Sequence, residues 1–111
     1  MTGKFEIDKA KNGEFIFRLK AGNGQVILSS EQYAQKGGAK SGIRSVKSNS
    51  AKEASFERKT ATNGKSYFTL SARNGEVIGK SQMYKSVSGR ENGIKSVAKN
   101  ASDAPIVDLT A

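Results

Sequence analysis

The stretch Asn12-Gly13-Glu14-Phe15-Ile16-Phe17-Arg18-Leu19-Lys20-Ala21-Gly22-Asn23-Gly24-Gln25-Val26-Ile27 is a strand held between two glycine turns, with a further strand beginning at its end. Fifty-one residues later the chain writes it again, from Asn63-Gly64 through Asn74-Gly75 to Val77-Ile78. Extended outward, the match aligns residues 4–51 with 55–102 without a gap and gives twenty identities in forty-eight positions. Nearly all are turn glycines, turn asparagines or apolar residues, the types that specify a backbone and a core. The chain is one unit written twice.

The apolar pattern sets the turn length. Phe5 and Ile7 alternate with Lys4, Glu6 and Asp8, while Phe15, Phe17, Leu19 and Ala21 share one face of the next strand. A two-residue Asn12-Gly13 loop would place Ile7 opposite Arg18. A three-residue loop pairs Phe5 with Leu19, Ile7 with Phe17 and Lys9 with Phe15, which unites the apolar faces. We therefore expect the longer loop, with Gly13 in the left-handed region as a bulge. The second copy agrees, because Thr62-Asn63-Gly64 then sets Phe56 opposite Leu70. The second hairpin turns at Gly22-Asn23-Gly24 and at Arg73-Asn74-Gly75. Its register stays open, since Val26-Ile27 and Val77-Ile78 offer an apolar residue to either face.

A helix closes each unit. Ala39, Ile43 and Val46 fall within about 60° of one another at 100° per residue, matched by Arg90, Ile94 and Val97. The pattern predicts helices near 36–48 and 87–99, ending around Asn49 and Asn100, a residue type that tolerates the left-handed C-terminal position. Ser88 and Glu91 have the spacing of a capping box. Ser30-x-x-Tyr33 and Ser81-x-x-Tyr84 lie between strand and helix. A tyrosine there packs its ring on the sheet and bonds its hydroxyl to backbone, with the serine bracing the turn; a ligand or interface role is the alternative. Residues 50–54 read as a linker. Pro105-Ile106-Val107-Asp108-Leu109 has no counterpart in the repeat, and either adds an edge strand or trails into disorder.

These elements make an α+β fold: two tandem strand-strand-strand-helix units with antiparallel sheets, helices packed on one face, internal pseudo-two-fold symmetry and a shared core. Sharing is required because so short a unit buries too little surface to offset its ordering entropy. Neither a disulfide nor a zinc site can assist, as the chain has no cysteine and no histidine. Residues 1–111 are read as one domain, with repeats at 4–51 and 55–102 and a tail at 103–111. A chain that already supplies both halves of the contact is expected to be a monomer.

The pattern of Asn12-Gly13, Phe17/Leu19, Asn23-Gly24/Val26-Ile27, Ser30/Tyr33 and Gly42-Ile43/Ser45-Val46, repeated fifty-one residues on, resembles the YegP-like family of small bacterial proteins. The likeness covers both copies. It implies a two-fold-like duplicated α+β fold and implies no activity. The copies part where Ile7 becomes Arg58, Phe15 becomes Ser66 and Leu28 becomes Gly79.

Function is less legible. The start Met1-Thr2-Gly3-Lys4-Phe5 has no apolar leader core, no run reaches membrane length, and the lack of cysteine suits a reducing compartment, so we expect a cytoplasmic protein. Without histidine or cysteine, acid–base or nucleophilic work would fall to carboxylates, lysines, serines or tyrosines. The shared carboxylates, Glu6 and Glu57, alternate against Phe5 and Phe56 and so point away from the core, towards cross-strand pairing with Arg18 and Thr69. Gly22-Asn23-Gly24 and Gly64-Lys65-Ser66 are fragments of nucleotide motifs without the required third or leading glycine and open strands instead of helices. No enzyme, metal or cofactor is expected.

The net charge is +9, which favours polyanions. Lys36, Lys40, Arg44 and Lys47 lie within about 80° of one another on the first helix and form a candidate polyanion stripe. The second copy carries Val87, Glu91, Lys95 and Ala98 there. Tyr33 and Tyr84 are candidate ligand or interface residues, and Tyr67, expected beside Ile16 on the outer sheet face, is a third. The reading is a non-catalytic binding module for an unidentified protein or small ligand, with nucleic acid as the alternative partner.

Overall fold

The computed structural model describes residues 3–110. Strands β1 (Lys4–Lys9), β2 (Phe15–Lys20) and β3 (Val26–Ser29) precede helix α1 (Lys36–Asn49); β4 (Phe56–Thr60), β5 (Ser66–Ser71) and β6 (Val77–Lys80) precede α2 (Val87–Ala101); β7 (Ile106–Asp108) follows. All seven strands form one sheet in the order β4-β5-β6-β3-β2-β1-β7.

The first hairpin has the expected register: Phe5 opposes Leu19, Ile7 opposes Phe17 and Lys9 opposes Phe15, while Phe56 opposes Leu70. Gly13 and Gly64 take φ of 85° and 83°, as a three-residue bulged loop requires. The second hairpin resolves its ambiguity with a bulge. Lys20 faces Val26 but Leu19 faces Leu28, so Ile27 is an extra residue, and both Ile27 and Leu28 are buried. The same irregularity recurs between Leu70 and Ser71.

The two meanders meet at β3 and β6, antiparallel, with Ser29 opposite Lys80. These are corresponding positions in the two copies. On the inner side of this seam Leu28 occupies the space over Gly79; a Cβ there would come within 2.7 Å of Leu28 Cγ and Cδ2. Room exists for one leucine, which accounts for the Leu28 to Gly79 departure. Both helices lie on this same face. Gly42 abuts Phe17 and Gly93 abuts Phe68, and the pairings Leu19–Leu28 and Leu70–Gly79 carry that face through the seam. Each helix reaches across it: α1 contacts β2 of its own unit and β5 and β6 of the other, whereas α2 contacts β5 and, across the seam, β3 and β1. One buried cluster includes Phe5, Phe17 and Ile43 with Phe56, Phe68 and Ile94.

Four expectations need correction. The sheet is mixed, because β7 runs parallel to β1, with Phe5 N–H donating to Pro105 O (2.8 Å) and Leu109 N–H to Ile7 O (2.9 Å). α2 is capped by Ser86, whose Oγ accepts from Gly89 N–H at 3.0 Å; Ser88 is already helical, and Glu91 binds Arg58. Neither Asn49 nor Asn100 is left-handed, since every positive φ belongs to a glycine among the described residues. Their amides instead donate back to Ser45 O (2.8 Å) and Ser96 O (2.7 Å), and Asn100 Oδ1 also accepts from Gly3 N–H. Finally, Glu6 does oppose Arg18, yet it is only 6% exposed and its carboxylate is held by Lys20 (3.0 Å) and Lys4 (3.4 Å). Strand β7 lies on the outer side of β1 and helps bury it, whereas Glu57, on the uncovered edge strand β4, is exposed and pairs with Lys59.

The seam gives a direct test. Gly79→Leu should lower stability by about 1–3 kcal/mol through overpacking against Leu28. Leu28→Gly with Gly79→Leu should recover much of the loss of either single change. A urea double-mutant cycle showing no coupling would mean that the two positions do not share the space.

Candidate functional site

Tyr33 and Tyr84 are set by their backbone before their rings matter. Tyr33 exchanges two 2.7 Å bonds with Phe15, and Tyr84 pairs with Ser66 in the same way. Ser30 Oγ accepts from Phe17 N–H at 2.8 Å and donates to Glu31 O at 2.7 Å; Ser81 repeats this on Phe68 and Gln82. Each serine ties the segment after β3 or β6 to the neighbouring strand and turns it up towards the helix. The tyrosine ring then stacks on the core, Tyr33 on Phe17 (6.2 Å, 15°) and Tyr84 on Phe68 (6.4 Å, 12°). Its edge sits in a notch made by two glycines one helical turn apart. A Cβ at Gly42 would come within 2.6 Å of the Tyr33 hydroxyl and 2.7 Å of Phe17 Cε2, and one at Gly93 within 2.7 Å of Tyr84 Cζ.

The hydroxyls do not bond to backbone as expected: among the described residues neither has a hydrogen-bond partner in the chain. Burial, then the charges of Glu31 and Glu76, push the Tyr33 phenol above its ordinary pKa.

Each tyrosine lines a cleft whose opposite wall comes from the other unit. The first, about 350 Å³, lies between α1 and the β5–β6 hairpin; the second, about 210 Å³, lies between α2 and the β2–β3 hairpin. Nine lining positions correspond: Tyr33 with Tyr84, Gly38 with Gly89, Ser41 with Asn92, Gly42 with Gly93, Ser45 with Ser96, and, across the seam, Ala72 with Ala21, Asn74 with Asn23, Glu76 with Gln25 and Ile78 with Ile27; Gln82 lines the second cleft without a counterpart in the first. Seven of these nine pairs are identical residues. Sequence reasoning singled out the tyrosines but placed Asn74 only in a turn and gave Ala72 and Glu76 no part in a site. The available signal was the identity of Ala21/Ala72, which no glycine-turn geometry requires.

The basic stripe is divided by the fold. Lys36 Nζ is 2.8 Å from Asp108 and 5.8 Å from the Phe15 ring centroid, and Lys47 lies 5.8 Å over Phe5. Arg44 turns the other way and donates to Ser41 Oγ (3.0 Å) on the cleft side, while Lys40 is exposed. Tyr67 is remote from both clefts, on the outer face beneath Lys80 Nζ at 5.0 Å. Among the described residues no cluster of three or more aspartates or glutamates could hold a metal ion.

This chain matches the domain of unknown function DUF1508 twice, over residues 10–57 and 61–108. It is 52% identical to a UPF0339 protein of Shewanella oneidensis over 99% of this chain and all of that one, and 50% identical to UPF0339 protein YegP of Escherichia coli K12 with the same coverage. It belongs to the UPF0339 (YegP-like) family. The solution NMR structure of the Shewanella oneidensis UPF0339 protein superposes with a TM-score of 0.92 at 51% identity, covering 98% of this chain and 92% of that one. The E. coli yegP solution structure gives 0.93 at 50% identity, covering 98% and 94%. The matched spans start at or just before the first turn of each unit; the first ends two residues into β4 and the second ends with β7.

The notch predicts opposite signs for two glycines of one helix. Gly42→Ala should destabilise by about 1–3 kcal/mol, since the core clash exceeds the roughly 1 kcal/mol of helix propensity gained. Gly37→Ala, with nothing within 4 Å of the added Cβ, should stabilise by about 0.4–1 kcal/mol in urea unfolding.

The tail predicts a pH dependence. Lys36, then the Thr110 hydroxyl (2.6 Å) and N–H (2.8 Å), hold the Asp108 carboxyl well below the usual carboxylate range. A carboxyl depressed in the folded state contributes stability above its unfolded pKa and loses it as pH falls. Protection factors at the Phe5 and Leu109 amides, taken relative to the intrinsic exchange rate at each pH, should therefore fall between about pH 5 and about pH 2, and Asp108→Asn should flatten that response.

Proposed function

We propose that this bacterial protein is a small non-catalytic binding module whose recognition surfaces are the paired clefts. The observation that carries the reading is the correspondence of the two linings, in which seven of nine positions hold the same residue. Those residues build, on each side, a concave surface with an unpartnered phenol, an asparagine and a serine around an apolar floor, the usual make-up of a site that orients a ligand by a few polar groups. The lack of a histidine or cysteine anywhere in the chain supports binding over turnover. The reading includes a local two-fold axis through the Ser29–Lys80 pair, supported by the meeting of corresponding positions there. It also includes a monomeric, cytoplasmic chain acting on a protein or small-molecule partner, which accords with the absence of any helix long and apolar enough to cross a membrane among the described residues.

A second reading, low-specificity nucleic-acid binding, draws support from Lys40, Arg44 and Lys47, which take part in no ion pair among the described residues. Lys36 contributes less to it, being neutralised by Asp108.

The test is a library titration of ¹⁵N-labelled protein with small polar compounds. Amide shifts should gather at the residues lining both clefts and vanish in Ser41→Trp/Asn92→Trp, a variant altered at exposed lining positions whose urea midpoint reports its fold. Hits that survive in that variant, or a library without cleft hits, would refute the module reading. For the second reading, duplex DNA should bind with a log-affinity versus log-salt slope of about −0.9 per phosphate contact. Unchanged binding by Lys40→Glu/Arg44→Glu would dismiss it.

A further inference from the structure

The two clefts correspond in position but not in charge, and the α2 cleft opens into a longer groove. A cavity of about 510 Å³ continues it along the helix, sharing Asn23, Asn92 and Ser96 with the cleft and adding Lys95, Lys99 and Asn100. Positions 92, 95, 96, 99 and 100 form a single helical face. From Gly89 to Asn100 that face spans about 16 Å at 1.5 Å per residue. The far wall is the tip of the β2–β3 hairpin at Gly22-Asn23.

No carboxylate lines either cavity, and neither Lys95 nor Lys99 takes part in an ion pair among the described residues. Both lysines are exposed. The α1 cleft differs at several corresponding positions, although Arg44 matches Lys95 in charge and Asn74, Ser45 and Asn49 match Asn23, Ser96 and Asn100. Glu76 replaces Gln25, Arg73 replaces Gly22 at the wall, and Ser48 replaces Lys99. The α1 cleft therefore carries an acid, Glu76, on its hairpin wall, whereas the α2 groove carries two free ammonium groups, Lys95 and Lys99, and no carboxylate among its lining residues.

Resting on the module reading above, we propose that the α2 groove binds an extended acidic peptide segment. The length suits about five residues of extended chain at 3.3 Å each. Carboxylates on alternate residues of such a chain project to the same side about 6.6 Å apart, close to the separation of side chains one helical turn apart, as Lys95 and Lys99 are. The Asn92 amide and the Tyr84 hydroxyl, which have no partner in the chain among the described residues, are placed to meet the peptide backbone. A nucleic-acid strand fits less well. The Tyr84 ring is stacked on Phe68 and lies against Gly89 and Gly93, so the groove presents no ring face for a base.

The full chain, ¹⁵N-labelled, should be titrated at low salt with an acetylated, amidated Glu-Ser-Glu-Ser-Glu peptide. Shifts should follow Gly89–Asn100 and Gly22–Asn23, and Lys95→Glu/Lys99→Glu should weaken binding by roughly tenfold or more, whereas Lys40→Glu/Arg44→Glu should have little effect. The exposure of Lys95 and Lys99 keeps that variant foldable, which its urea midpoint verifies. Equal binding of the Lys-Ser-Lys-Ser-Lys peptide, indifference to the Lys95/Lys99 reversal, or tighter occupation of the same groove by a five-nucleotide oligothymidylate would overturn the proposal. So would absence of any shift with the acidic peptide. That last result would leave the module reading standing if library compounds still fill both clefts, so the two ideas fail separately.

Discussion

The antiparallel contact between β3 and β6 is the constraint on which the rest depends. Each three-stranded meander alone would end in an exposed strand and a helix with half its apolar side uncovered. Joined at Ser29 and Lys80, they make one sheet broad enough for both helices. Because α1 reaches β5 and β6, and α2 reaches β3 and β1, neither helix is buried by its own unit alone. The clefts are a by-product of this crossing. Where a helix passes over the seam its small residues face the hairpin of the other unit, and a concavity remains between them.

The tyrosine stack explains why so many identical residues are small. Tyr33 must lie flat on Phe17 beneath α1, and glycine at 42 lets the helix come that close, with Gly38 against the ring one turn earlier; Tyr84 and Gly93 repeat the arrangement, with Gly89 in looser contact. Packing and recognition are thus built from the same atoms. The ring is committed to the core while its hydroxyl, raised in pKa at Tyr33 by burial, stands at the cleft wall.

Legibility followed the range of the interactions. The first hairpin was readable because Phe5, Ile7, Phe17 and Leu19 alternate and a glycine fixes the loop between them. The second was not, because the bulge at Ile27 turns two successive residues inward and so breaks the period-two rule. An added edge strand was one of two readings of residues 105–109, and β7 is that strand; its choice and its parallel pairing were not legible locally, since its partner β1 lies at the other end of the chain, and the burial of Glu6 beside it was missed for the same reason. Asn49 and Asn100 were misread from residue-type preference: their side chains bond back to the helix while the backbone stays right-handed. In the clefts, the tyrosines were visible as conspicuous shared polar residues. The facing Asn74 and Glu76 were hidden, because nothing in a repeat alignment says that the hairpin of one copy faces the helix of the other.

The Leu28 and Gly79 pair shows what covalent tethering permits. In a homodimer of a single unit, one gene specifies both sides of the seam, so both would carry leucine and collide or both would carry glycine and leave a hole. Fusion into a single polypeptide frees the two sides to differ, and large-into-small interlocking becomes available where self-association would forbid it. The same freedom extends to Glu76 and Gln25, and to Arg73 and Gly22, so a scaffold built from two matching units can present two unlike faces.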